Sequence, residues 1–244
     1  MTALSRAREA QNKIKRLAVE VQTAITNLTN ALDQNRAEVM GDQASQEPPS
    51  SYALANRAKR VDDAKARVIE VARSVPNRLA TLQTELAQAL IKASADSGAV
   101  ASESARSSVR AQLVAGVPAT AILEDAAARW DVDTVRAVRA EVGGVLMAKA
   151  GSDQHARTEA MKGRDRAEQA VDRVLARIGS GAEAEIAKIR LGSVVLIESA
   201  AGMVELAGKY GATGSIRPDD RLALAYAQTD ADHALERALA ESAA

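Results

Sequence analysis

Leu54, Val61, Val68, Val75, Leu82 and Ala89 stand seven residues apart. An apolar repeat of seven, held over several turns, leaves the chain little choice but a long helix with one seam along it. Ala58, Ala72, Leu79, Leu86 and Ala93 reinforce the seam four positions on from its members. The pattern predicts a helix from Tyr52 to about Asp96, bent or split near Ser74 because Pro76 lacks a backbone donor. Alanine on the seam lets another helix come close. Leu54, Val61, Val68, Val75 and Leu82 are therefore the candidate interaction residues.

A second stripe precedes it. Ile14, Leu17, Val21, Ile25, Leu28, Leu32 and Val39 follow one another mostly at three- and four-residue steps, which predicts a helix from about Leu4 to Met40. Gly41 to Ser51, with Pro48-Pro49, reads as the connecting loop. The two helices would then form an antiparallel hairpin. Aromatic residues make up only 2% of the chain and there is no Phe. Its core must therefore come from Ala, Val, Leu and Ile, and small side chains need long contact surfaces to bury enough area.

The rest of the chain also reads as helix. Gly98 marks a boundary, and helices are expected from Glu103 to Ala115, Ala119 to Trp130 and Asp133 to about Ala150. Pro118 suits a helix start and Asp133 an N-cap, and the corner at 131–133 is expected to pack on Trp130. A helix from about Asp153 to Ile178 ends at Gly179-Ser180-Gly181. Another follows from about Ala182 to Tyr210, and a last one after Pro218. The predicted fold class is all-α: long antiparallel, coiled-coil-like hairpins with a small helical insert. The predicted organisation is a hairpin over 1–97, a three-helix region over 98–150 and a C-terminal hairpin or bundle over 151–244.

Arg190 to Gly208, RLGSVVLIESAAGMVELAG, is apolar on nearly every side. A membrane span needs about 20 mostly apolar residues. This run holds Glu198 and Glu205, each costly at mid-membrane, and has no aromatic anchors at its flanks. No membrane partner is expected. The two glutamates are seven apart and share a face, so they read as the wet edge of a buried helix. A metal-binding bundle would need a Glu-x-x-His motif on facing helices. Only His155 and His233 are present, and neither follows a glutamate by three. No metal and no cofactor is expected.

Charge is balanced, with 32 Lys+Arg against 32 Asp+Glu, so nucleic acid is not an expected partner. Ile122 to Val142 has the outline of a helix-turn-helix carrying Arg136 and Arg139. Its turn lacks Gly, and Asp131 and Asp133 would repel phosphate. The chain has no Cys, and its two histidines lie apart, which leaves no recognisable nucleophilic triad. No apolar run follows the first arginines, so a cytoplasmic location is expected.

The Ala/Arg-rich, helical style is loosely similar to virion or assembly proteins of actinobacterial phages, a resemblance of composition that no motif carries. It implies a virion location as the alternative to the cytoplasm. The expected function is a non-enzymatic structural or assembly role through helix–helix contacts, with a homo-oligomer or a helical protein as partner. The alternatives are a DNA-associated regulator using 119–142, and a helical enzyme or metal protein centred on Glu198 and Glu205.

Overall fold

The computed structural model describes residues 2–45 and 48–213. These residues form seven α-helices and no strand: α1 (Ala3–Ser45), α2 (Ser51–Asp96), α3 (Glu103–Val114), α4 (Ala119–Ala128), α5 (Val132–Ala150), α6 (Gln154–Ile178) and α7 (Gly181–Thr213). The all-α class read from periodicity is the class observed. The helix expected after Pro218 lies outside the described residues. So does His233.

The largest departures from the sequence reading lie in α1 and α2. Helix α1 continues through Gly41 to Ser45, because one glycine in a polar helix costs only about 1 kcal/mol. Helix α2 runs through Pro76 without a break. Pro76 is exposed, so its ring meets solvent rather than a neighbouring helix, and only one backbone hydrogen bond is given up.

The chain groups into two compact units. Among the described residues, the first comprises 2–8 and 87–193 and the second 9–86 and 194–213.

In the first unit α5 is the central helix. It packs on α3, α4 and α6, and α4 also packs on α6. Val135, Val138 and Val142, at three- and four-residue steps along α5, are at most 2% exposed. Val109, Leu123, Val171 and Leu175 meet them from the other helices. Short polar side chains set the helix starts. Ser102 accepts from the Ala105 N–H at 3.2 Å, and Asp153 from the Ala156 N–H at 2.8 Å. At α5 the cap is Asp131, not Asp133. Asp131 accepts from the Thr134 N–H at 3.0 Å and from its hydroxyl at 2.6 Å. Asp133 sits in the first turn and accepts from the Ser102 N–H and hydroxyl, tying α5 to the start of α3. Trp130 is not the anchor of this corner. Its side chain is 69% exposed and its backbone has φ of 55°.

Gly179 ends α6 where only glycine fits. A Cβ there would lie 2.4 Å from the Leu175 carbonyl oxygen. That oxygen already accepts the Gly179 N–H at 2.9 Å.

In the second unit α1 and α2 run antiparallel. Arg57 pairs with Glu38 and Asp42, Arg60 pairs with Glu38, and Arg67 and Arg78 both reach Glu20. Partners higher in α2 thus meet positions lower in α1. Ile14, Val21, Ile25 and Leu28 on α1, and Val68, Val71 and Val75 on α2, are fully buried. The end of α7 comes against α2 so closely that a Cβ on Gly211 would sit 2.7 Å from Ile69 Cγ1.

Candidate interaction site

The five seam residues do not share one environment. Val68 and Val75 are fully buried within the chain, Val61 and Leu82 are half-buried, and Leu54 is 50% exposed. The heptad therefore changes role along its length. Its middle is part of the protein's own core, and its beginning is free surface.

That beginning belongs to a longer stretch. No described residue from 32 to 67 is buried. Over this distal half of the hairpin, ion pairs link α1 to α2. Arg57, whose side chain is only 13% exposed, donates from Nε to Glu38 at 2.8 Å and from Nη2 to Asp42 at 3.1 Å. Arg60 adds a bond to Glu38 at 2.9 Å. The guanidiniums hold both carboxyls below the usual carboxylate range. Around this polar clasp Val39, Met40, Tyr52 and Leu54 are 42–76% exposed. An isolated two-helix segment of that length has little apolar burial to offset its ordering entropy. Such a stretch has the composition of a helix-docking surface: exposed apolar side chains among the exposed charges of Arg36, Lys59, Asp62 and Asp63.

The arginines of the helix-turn-helix-like segment face inward. Arg136 donates from Nε and Nη2 to the two oxygens of Glu183, at 2.9 and 2.7 Å. Arg139 pairs with Asp172, which Arg190 also approaches at 3.5 Å. Both guanidiniums are therefore held by carboxylates rather than presented to a phosphate backbone.

Sequence reasoning missed a third cluster on α5. Glu141 is 6% exposed, and it accepts from Arg106 Nε at 2.8 Å and Arg110 Nε at 2.7 Å. Hydrogen bonds from Arg110, and then Arg106, lower its pKa despite burial. At Asp172 burial outweighs its two arginines and the carboxyl is pushed up. Each carboxylate reads as an ordinary helical acid until the fold brings arginines to it, from α3 to Glu141 and from α5 and α7 to Asp172. An Arg spacing of four at 106 and 110 was the only signal in the sequence.

Glu198 and Glu205 are exposed, and Glu205 pairs with Lys209 of its own helix at 2.9 Å. They lie on the solvent side of α7, while Leu196, Ala200, Met203 and Ala207 are buried. By length and composition alone α7 could cross a membrane, but 39% of its most apolar window is already buried within the chain. Among the described residues no group of three or more His, Asp or Glu is placed to hold a metal ion. The chain matches no protein-family model, no curated protein and no solved structure.

Proposed function

We propose that this is a non-enzymatic structural or assembly protein that works through helix–helix contacts, and that the distal half of the α1–α2 hairpin is the contacting surface. One observation carries the reading: residues 32–67 include no buried side chain among those described, yet they expose Val39, Met40, Tyr52 and Leu54. A second copy of the chain is the partner that best fits. The face carries both signs of charge beside its apolar residues, so two antiparallel copies can satisfy each other. A place in a virion or its assembly would use the same surface.

The absence of native Cys makes a direct test available. A single Ala55→Cys substitution on this exposed face should trap a covalent dimer under mild oxidation. Ala111→Cys, on an exposed face of α3, should not. Equal trapping at both positions, or at neither, would count against this surface as the contact.

A further inference from the structure

In the first unit, a groove of about 350 Å³ opens between the α3–α4 connection, α5 and α6. Its wall is apolar: Leu113 and Val117 on one side, Val142, Val145 and Leu146 of α5, and Ala167 of α6. Leu113, Val142, Val145 and Ala167 are nearly inaccessible, whereas Val117 stands 37% exposed at the rim. Lys149 and Arg166 also line it.

The positions of the two cations are informative. A surface lysine over an apolar wall ordinarily extends its ammonium to bulk water. Lys149, although exposed, donates from Nζ to the Leu113 carbonyl oxygen at 2.6 Å, on the groove itself. One of its three donors is used, and two remain. Arg166 forms no ion pair among the described residues. Glu159, whose carboxyl feels the Arg166 charge, is bonded to Lys162 at 2.8 Å. Helix α4 begins at the same groove, and Pro118 provides no side-chain cap for its first N–H groups. An apolar wall beside two cations with spare donors matches a molecule with an apolar body and one anionic end. The volume lies at the lower end of the range for small-ligand sites, about 300–1,000 Å³.

We propose that this groove binds a small amphipathic carboxylate, with the hydrocarbon part against Val142, Val145 and Leu146 and the carboxylate at Lys149 and Arg166. Arg166 provides the planar fork that a carboxylate fits. The apolar wall provides the area that makes a longer acid bind better than a short one. This site is separate from the hairpin surface, and neither proposal depends on the other.

The test is calorimetric titration of the full chain with octanoate, octanol, acetate and N-acetyl-leucyl-leucine. Octanoate should bind saturably at one site per chain. Octanol, lacking the charge, and acetate, lacking the body, should each bind about tenfold more weakly or worse. Arg166→Gln and Lys149→Met should weaken octanoate by a similar factor, and Val117→Trp should block the rim. Lys149 also holds the end of α3, so circular dichroism must show each variant folded; Arg166→Gln touches no such bond and keeps the test decisive if Lys149→Met unfolds. Tighter binding of the peptide than of octanoate would keep the carboxylate chemistry and assign its source to a chain terminus. Unsaturable heats, equal affinity for octanol, or an affinity untouched in the folded variants would overturn the proposal.

Discussion

At Glu141 a single buried carboxylate answers two guanidiniums from the neighbouring helix, and losing it leaves Arg106 only its longer contact with Glu103, at 3.6 Å. The arginines are 36% and 52% exposed, so they can turn toward water. Glu141→Ala should therefore cost about 1–3 kcal/mol rather than the larger penalty of a stranded buried charge. Chemical denaturation of the variant checks it. The pH dependence has a definite sign. Because the folded carboxyl titrates below the usual glutamate range, its stabilisation is complete above that range and is lost as pH falls through the lowered value. Asp172 works in the opposite sense. Its folded carboxyl is raised, so its contribution favours the fold at low pH and declines as pH rises into the elevated range. Glu141→Gln should flatten the acid limb of a stability–pH curve, and Asp172→Asn should remove a decline on the alkaline side of that limb. A curve unchanged in both variants would mean that neither carboxylate titrates differently in the folded chain. Glu198→Gln, on exposed surface, should stay within about 0.5 kcal/mol of the parent.

Helix α7 buries one face, and the end of α6 closes tightly on its own backbone. Leu196 is 8% exposed and sits on the buried face of α7. Leu196→Ala should lose about 2–5 kcal/mol, as large-to-small core changes do. If its melting temperature matched the parent's, the buried face of α7 would be misplaced. Gly179→Ala should also destabilise, because a Cβ must push the Leu175 carbonyl out of the last turn of α6. Its effect should exceed that of Gly144→Ala, where a Cβ meets nothing within 4 Å and alanine is the better helix former. Most of these elements were legible in the sequence. Three- and four-residue apolar steps give α1 and α6, and short polar residues after glycines give the starts of α3 and α6. The corner before α5 was harder. Asp131 and Asp133 are both good caps, and the choice between them depends on Ser102, which is near only once α3 has docked. Trp130 misled because aromatic side chains are ordinarily buried anchors. The arginine–carboxylate pairs on α5 left only the spacing of Arg106 and Arg110 as a trace in the sequence, since each partner is more than 30 positions away.

Across the whole molecule, the seam at Leu54, Val61, Val68, Val75 and Leu82 shows both the reach and the limit of periodicity. It locates the helix and the face. It does not say which part of the face the chain covers by itself, because that depends on where α1 stops contributing buried residues. That point is Ala31, the last buried residue of α1, and on α2 burial begins at Val68. Beyond it the pair continues for roughly 20 Å of helix, at 1.5 Å per residue, with no apolar side chain fully covered. Val68→Asp would therefore attack the chain's own core, whereas Leu54 and Met40 can be changed without touching a buried contact.

Sedimentation equilibrium over a wide concentration range tests this most directly, run on the parent chain and on Met40→Asp combined with Leu54→Asp. The parent should associate with increasing concentration, and the variant should remain monomeric with an unchanged helical circular dichroism spectrum. A parent that stays monomeric at every concentration, or a variant that associates as the parent does, would contradict it.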